Sequence, residues 1–209
     1  MHRHFSFNGT QLKLIALCFM LFDHLKIYLL NNVLPSWTAW IARFVAPLFV
    51  YMLVEGFFKT SSRKRYLIRL GKVALITAFG EGLINFAYHN VDPITRKMNI
   101  YSIMSGNNIL ITLTLFLGII WCLDIWRTTK KYQWLFFGGF LSLFSCFLEG
   151  GMYLFPVLLI FYFGYGKLNI QASAIALFCI LLLSKAVYTA YVTGSGLFST
   201  LTFSNEWMS

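Results

Sequence analysis

Long apolar blocks separated by short polar segments run through most of the chain. Seven such blocks can be placed, at residues 12–31, 37–58, 68–88, 107–126, 132–148, 151–166 and 172–192. An apolar run of about 20 residues is long enough to cross the hydrocarbon core of a bilayer as a helix, and polar, Gly- or Pro-containing segments mark the breaks between helices. The pattern therefore predicts an all-α, polytopic transmembrane helix bundle of about seven spans, formed as a single integral membrane domain over residues 1–209.

The composition agrees with a membrane protein. Apolar residues make up 58% of the chain and charged residues only 11%, whereas a soluble globular domain carries about 25% charged residues. Disordered, collagen-like, coiled-coil and disulfide-stapled classes are excluded. The cysteines lie in apolar blocks without metal-binding spacing, so we expect them to be buried apolar side chains and expect no metal site; they are Cys18, Cys122, Cys146 and Cys179.

The distribution of positive charge predicts the topology. Lys and Arg number 17 against seven Asp and Glu, for a net charge of +10. If the amino terminus is cytoplasmic, 12 of the 17 basic residues fall at the cytoplasmic side, and the outer connections carry only Arg96 and Lys97. Basic residues collect in the cytoplasmic loops of membrane proteins. We therefore predict a cytoplasmic amino terminus, and the charge needs no nucleic-acid partner.

Among the ionisable residues inside the first two predicted spans, Asp23, His24 and Arg43 are expected at a similar depth. A charge at the bilayer centre costs about 2.5–3.5 kcal/mol on the more lenient scales, so such residues need a compensating role. Asp23 and Arg43 lie on consecutive antiparallel spans and are expected to be within pairing distance. Because imidazole titrates near neutrality, His24 beside a carboxylate suits a general base. A salt bridge that only specifies the fold is the alternative for Asp23 and Arg43.

Further polar residues are expected at a similar depth, where they would line a cavity for an acceptor. They are Glu81, Asn85, Asn108 and Lys185. Glu81 and Asn85 are four residues apart and thus share one helix face. A hydrogen-bonded seam between helices explains these two residues equally well, and Asn108 also suits a helix cap.

A basic cluster occupies the connection before the third predicted span. It places six positive charges within 14 residues: Lys59, Arg63, Lys64, Arg65, Arg69 and Lys72. Anionic lipid headgroups are one partner for such a cluster, and the phosphates of a nucleotide cofactor are the other, since Arg forks match phosphate oxygens. Glu55 lies just before the cluster, where it can neutralise it or hold its Arg residues in place.

Several short motifs occur in a fixed order between residues 12 and about 165. They are Leu12-Lys13-Leu14-Ile15-Ala16, Asp23-His24, Ala42-Arg43-Phe44, Leu53-Val54-Glu55-Gly56-Phe57-Phe58-Lys59-Thr60, Arg65-Tyr66-Leu67-Ile68-Arg69-Leu70, Asn107-Asn108-Ile109 and Gly150-Gly151-Met152-Tyr153. This ordered set resembles the TraX family of polytopic membrane proteins, whose namesake is associated with amino-terminal acetylation of conjugative pilin. The resemblance implies a multi-pass protein of the bacterial cytoplasmic membrane, related to membrane acyltransferases.

The resemblance also implies roles for the polar residues. The family's Asp-His falls on Asp23 and His24, its Arg on Arg43, and its Glu-Gly on Glu55 and Gly56. Together with the common depth of the polar residues and the basic cluster, this leads to the hypothesis that acetyl-CoA docks its phosphates on Arg63, Lys64, Arg65 and Arg69, near Glu55, and that Asp23, His24 and Arg43 are catalytic. The acceptor would be an amine or hydroxyl at the outer half of the membrane, on a pilin-like protein or another envelope molecule, with membrane lipids as the other partner. Two alternatives from other classes stay open: a small transporter that uses the polar layer as a path, and a non-enzymatic scaffold of a secretion or conjugation apparatus.

Overall fold

The computed structural model describes residue 11 and residues 14–19, 45–87, 108–148 and 150–194. Within these ranges the chain is helical apart from short connections and contains no strand, which confirms the predicted all-helical class for the described part. Residues 14–19 are helical, and six further helices follow: α1 (Val45–Lys59), α2 (Arg63–Ala87), α3 (Ile109–Thr129), α4 (Tyr132–Ser145), α5 (Gly151–Phe163) and α6 (Leu168–Thr193).

Local chemistry explains several helix ends. The Ser62 hydroxyl accepts a hydrogen bond from the backbone N–H of Arg65 at 3.4 Å, as expected of a residue that caps the start of α2. After α3, Lys130 adopts the left-handed conformation with φ 56°, and its N–H donates to the Trp126 carbonyl at 2.7 Å. Gly150 has φ 65° just before α5, a conformation that glycine adopts without steric cost. The turns at Lys130 and Gly150 lie at the breaks predicted between the apolar blocks 107–126, 132–148 and 151–166.

The core is formed by α1, α3 and α5. Val50 and Phe57 of α1, Phe116 and Ile120 of α3, and Leu158 of α5 are all completely buried. The remaining helices are added around this core, because α2 packs on α3, α4 packs on α3 and α5, and α6 packs on α5. The three inner helices therefore set the geometry of the bundle.

The outer helices present apolar side chains on the protein surface. Phe79 of α2 is 70% exposed, Phe136 of α4 is 83% exposed and Tyr191 of α6 is 86% exposed, and each has further exposed apolar neighbours on its helix. A soluble monomer rarely exposes contiguous apolar surface on this scale. These faces fit contact with lipid, in agreement with a membrane protein.

Two of the described helices are long and apolar enough to cross a membrane, namely α3 and α6, with 21 and 26 residues. At about 1.5 Å per residue they are about 31 and 39 Å long, against a hydrocarbon core of about 30 Å. The predicted spans 132–148 and 151–166 correspond to α4 and α5, which have only 14 and 13 residues. The seven-span topology and the side of the membrane on which each end lies stay predictions.

The prediction that the cysteines are buried is correct for Cys122 and wrong for the other three. Cys18, Cys146 and Cys179 are exposed on the protein surface. Apolar flanking sequence cannot distinguish a helix face that packs on protein from one that faces lipid, because both favour small hydrophobic residues.

Candidate functional site

Three interhelical connections meet at one end of the bundle. Phe58 near the end of α1 stacks on Tyr165, which follows α5, with ring centroids 3.9 Å apart. Arg63 at the start of α2 forms an ion pair with Asp124 near the end of α3. The α1–α2, α3–α4 and α5–α6 connections therefore lie side by side. We call this the basic end because it carries Lys59, Arg63, Lys64, Arg65, Arg127, Lys130, Lys131 and Lys167.

Arg63 is the best anchored residue of the predicted basic cluster. Its guanidinium contacts the Asp124 carboxylate, and the carbon at its centre lies 4.6 Å from the centroid of the Phe57 ring. The side chains of Arg63 and Asp124 are 38% and 19% exposed, so water only partly screens the pair. Arg63 thus connects the start of α2 to the end of α3, and its charge is already balanced by a carboxylate within the protein.

The other predicted phosphate-binding residues are free of such anchoring in the part of the chain that the structure describes. Lys64, Arg65 and Arg69 are exposed on the first two turns of α2. Arg65 and Arg69 are four residues apart and share one face of the helix. Their charges are thus available to a phosphate group, whether it belongs to a lipid or to a cofactor.

Glu55 does not hold an Arg residue of the cluster by an ion pair in the described structure. Its carboxylate accepts a hydrogen bond from the ammonium of Lys59, one helical turn later, at 2.6 Å. The hydrogen bond and the negative charge of Glu55 raise the pKa of Lys59 above its ordinary value. Lys59 therefore keeps its charge at physiological pH, and Glu55 neutralises one residue of the cluster.

Gly56, which follows Glu55, leaves room for a side chain of the next helix. A Cβ at this position would lie 2.8 Å from the hydroxyl oxygen of Tyr66 and 3.1 Å from the ring carbon that bears it. Real Cβ atoms essentially never approach other atoms that closely. The glycine of the Glu-Gly pair therefore has a structural explanation: it leaves room for the Tyr66 side chain, near the start of α2, to lie against α1.

Tyr162 places a polar atom inside the basic end. The residue is 2% exposed, and its ring lies against Phe57 and Phe58 at centroid distances of 6.3 and 5.6 Å. Its hydroxyl lies beside the Arg127 guanidinium and near the charges of Asp124 and Arg63. Even so, it forms no hydrogen bond of normal geometry with any described group.

Asn108 acts as a helix cap and an interhelical tie. Its side-chain oxygen accepts the backbone N–H of Leu110 at 3.1 Å, as an N-cap residue does. Its side-chain nitrogen donates to the Ala74 carbonyl at 3.2 Å and to the Thr77 hydroxyl at 3.1 Å. Both N–H groups of the amide are thus used to tie the start of α3 to the middle of α2. Of the two predicted roles, cap and cavity lining, the structure supports the cap.

The other predicted cavity residues lie on helices with different neighbours. Asn85 is buried and Glu81 half-buried on α2, which packs on α3. Lys185 is exposed on α6, which packs on α5, and its ammonium lies 5.7 Å from the centroid of the Tyr153 ring. The described structure therefore does not gather Lys185 with Glu81 and Asn85 into one site.

The predicted catalytic residues Asp23, His24 and Arg43 lie outside the described residues. Three residues that the sequence analysis did not single out, Asp124, Arg127 and Tyr162, are brought together with Arg63 instead. The signal in the sequence that could have indicated them is the pair Asp124 and Arg127, which lie three positions apart at the end of an apolar block. Chemically, the arrangement offers guanidinium and hydroxyl donors to an anion.

Comparison with known proteins gives a family and a partial relative. A family model described as "TraX protein" matches residues 8–204. A "Probable fimbrial assembly protein FimC, serogroup H1" from Dichelobacter nodosus is 39% identical over 74 residues, which cover 34% of this chain and 30% of that protein. The match therefore spans less than a third of the relative's length. No solved structure matches the chain.

Proposed function

The chain belongs to the TraX family, and from this premise we propose that it is a membrane acetyltransferase of a pilus or conjugation apparatus. It would transfer an acetyl group from cytoplasmic acetyl-CoA to an amine or hydroxyl at the outer half of the membrane, such as the amino terminus of a pilin-like protein. The similarity to a protein named for fimbrial assembly supports the pilus-related role. The apolar surfaces of α2, α4 and α6 support the membrane location.

The observation that carries the proposal is the meeting of three basic connections at one end of the bundle. Coenzyme A carries a pyrophosphate and a ribose phosphate, and several cations are needed to bind them. Lys64 and Arg65 are exposed there, and Arg69 is exposed one turn further along α2. Arg in particular binds phosphate through paired N–H donors. The fixed Arg63–Asp124 pair holds the helix that carries these residues in place.

The proposed reaction is an acyl transfer. The acceptor nitrogen or oxygen attacks the thioester carbonyl carbon, a bond forms to that carbon, the carbon–sulfur bond breaks, and coenzyme A leaves as a thiolate. His24, oriented by Asp23, would take the proton of the acceptor and pass it to the thiolate, while Arg43 would stabilise the developing oxyanion. These three residues lie outside the described part of the chain, so their roles rest on the sequence and the family resemblance.

The test uses the purified full chain in detergent with acetyl-CoA labelled in the acetyl group. Saturable binding is measured first, and transfer to a peptide with a pilin-like amino terminus second. We expect the variant Lys64→Gln/Arg65→Gln/Arg69→Gln to weaken acetyl-CoA binding at least tenfold. The matched control Lys130→Gln/Lys131→Gln/Lys167→Gln removes the same number of positive charges from the same end and should change binding less than threefold.

The chemical step is tested separately with His24→Ala, which should bind acetyl-CoA normally and lose transfer. Full transfer by His24→Ala would refute the general-base role. If the unaltered chain does not bind acetyl-CoA at millimolar concentration, the acetyltransferase proposal is wrong, and the scaffold or transporter alternatives take its place.

A further inference from the structure

The hydroxyl of Tyr162 is a buried hydrogen-bonding group whose needs the fold does not fully meet. The residue is 2% exposed, and although the Arg127 guanidinium lies beside it, the hydroxyl forms no hydrogen bond of normal geometry with a described residue. Leaving a buried polar group unpaired is costly, and proteins normally avoid it unless the group serves a ligand or another function. A phenylalanine would fill the same space between Phe57 and Phe58 without that cost.

Arg127 supplies the charge beside this hydroxyl. Its guanidinium lies 6.0 Å from the centroid of the Phe163 ring and next to Tyr162, and neither ion pair found among the described residues includes it. A guanidinium that stacks on an aromatic ring keeps its N–H edge available for an anion. Arg127 and Tyr162 thus present donors of two kinds to the same place, at the junction of α3 and α5.

The charge around this junction favours an anion. Asp124 is the acidic group near Tyr162, and its carboxylate is engaged by Arg63. Arg127 therefore leaves the junction with a net positive charge, which the neighbouring lysines of the basic end increase. A phosphate group has several acceptor oxygens and can receive an Arg fork and a hydroxyl at once.

From this geometry we propose that Arg127 and Tyr162 form a phosphate-binding site at the α3–α5 junction, separate from the exposed residues Lys64, Arg65 and Arg69. Arg63 pairs with Asp124 and thereby offsets the negative charge nearest to the bound anion. The phosphate belongs either to a nucleotide cofactor or to a lipid headgroup. Assigning it to the cofactor rests on the proposed function, whereas the site itself does not.

The experiment measures binding of inorganic pyrophosphate to the purified full chain in a neutral detergent, by the shift in its thermal unfolding midpoint. Tyr162→Phe removes only the hydroxyl, and Arg127→Gln removes the guanidinium with its charge and its paired donors. We expect each to raise the pyrophosphate Kd at least fivefold. Lys131→Gln, which loses the same charge at the same end, is the matched control and should change the Kd less than twofold.

The unliganded stability of Tyr162→Phe provides an independent readout. If the hydroxyl is reserved for a ligand, the variant should unfold at the same or a higher temperature without pyrophosphate, while its stabilisation by pyrophosphate falls. An unchanged Kd in Tyr162→Phe would overturn the proposal. A Kd raised equally in Lys131→Gln would also overturn it, since general charge would then explain binding.

Two further titrations identify the source of the phosphate. If acetyl-CoA displaces pyrophosphate from the unaltered chain but not from Tyr162→Phe, the phosphate belongs to the cofactor. If phosphatidylglycerol in nanodiscs does so instead, the phosphate belongs to a lipid headgroup. If acetyl-CoA binds with equal affinity to Tyr162→Phe and pyrophosphate does not bind, the proposed function stands and this site is refuted. If pyrophosphate binding depends on Tyr162 and acetyl-CoA does not bind at all, this site stands and the proposed function is refuted.

Discussion

Two ion pairs at the basic end differ in how well they are shielded from water. Arg63 and Asp124 connect two helices and are 38% and 19% exposed, whereas Lys59 and Glu55 lie one turn apart on α1 and are 68% and 28% exposed. Exposed ion pairs within one helix contribute little to stability, but a charge left without its partner in a part-buried site is costly. The two pairs therefore make a matched comparison.

We predict that Asp124→Asn lowers the free energy of unfolding by about 1–2 kcal/mol, since it leaves the Arg63 guanidinium over Phe57 without a charged acceptor. Glu55→Gln should produce no measurable change. Both can be compared by thermal unfolding of the purified chain in one detergent. Equal destabilisation by the two substitutions would show that the interhelical pair contributes no more to stability than the pair within α1.

The contact between Gly56 and Tyr66 gives a steric prediction. Gly56→Ala puts a methyl group within 2.8 Å of the Tyr66 hydroxyl, and forcing extra volume into a packed contact costs about 1–3 kcal/mol. In Gly56→Ala/Tyr66→Phe the nearest atom is gone, so part of the loss should be recovered. Thermal unfolding of the single and double variants measures this recovery; a double variant no more stable than Gly56→Ala would contradict the predicted contact.

At the scale of helices, the sequence predicted some elements better than others. The 21-residue α3 and 26-residue α6 coincide closely with predicted spans, because long uninterrupted apolar runs have few alternatives to a helix. α4 and α5 begin where the predicted blocks 132–148 and 151–166 begin, but each helix ends three residues before its block does. Hydropathy marks where apolar sequence ends, whereas a helix ends where the backbone turns.

The candidate site was harder to predict than the fold. Arg63 was recognised from the density of positive charge, but its partner Asp124 lies 61 residues away, and no local pattern connects the two. Tyr162 is one of many aromatic residues in apolar sequence, and only the packing of α1 against α5 shows that its hydroxyl is buried. Asn108 was correctly placed among polar residues at a helix start, and only its hydrogen bond from the Leu110 N–H shows that it caps the helix.

The lengths of α4 and α5 suggest a hairpin that enters the membrane and returns to the same side. Leu141 of α4 lies against Gly118 of α3; α4 ends four residues later at Ser145, whereas α3 continues nine residues in that direction to Ile109. At about 1.5 Å per residue, the turn lies roughly 7–8 Å short of the end of α3. If α3 spans the bilayer, the turn is inside it.

The backbone of this turn is suited to such an environment. The N–H groups of Cys146, Phe147 and Leu148 donate to carbonyls at the end of α4, and the Gly151 N–H donates to the Leu148 carbonyl at 3.0 Å. A Cβ at Gly151 would collide with the carbonyl oxygen of Ser145, so the two helices approach each other closely. Non-helical backbone is tolerated inside the bilayer when other groups of the protein form hydrogen bonds with its N–H and C=O groups.

We therefore predict that Cys146, kept as the sole cysteine, does not react with a membrane-impermeant maleimide from either side of an intact membrane. It should react after solubilisation in detergent, because its side chain is exposed on the protein surface. Mass spectrometry of the labelled chain provides the measurement. Rapid labelling in intact cells would show that the turn reaches the outer surface and that α4 and α5 are complete spans.

For the molecule as a whole, the basic end predicts which connections share one side of the membrane. Contacts between Phe58 and Tyr165 and between Arg63 and Asp124 hold the three connections together, and their positive charges favour the cytoplasm. In a chain without other cysteines, Ser61→Cys, Thr128→Cys and Asn169→Cys introduce an exposed thiol at or beside each connection. All three should react with an impermeant maleimide in inverted membrane vesicles and none in intact spheroplasts.

Labelling of all three only in spheroplasts would agree with the packing, since the three sites would still share one side, but would contradict the predicted orientation in the membrane. Division of the three sites between the two preparations would contradict the packing itself, because residues joined by these contacts cannot lie on opposite faces of a bilayer about 30 Å thick.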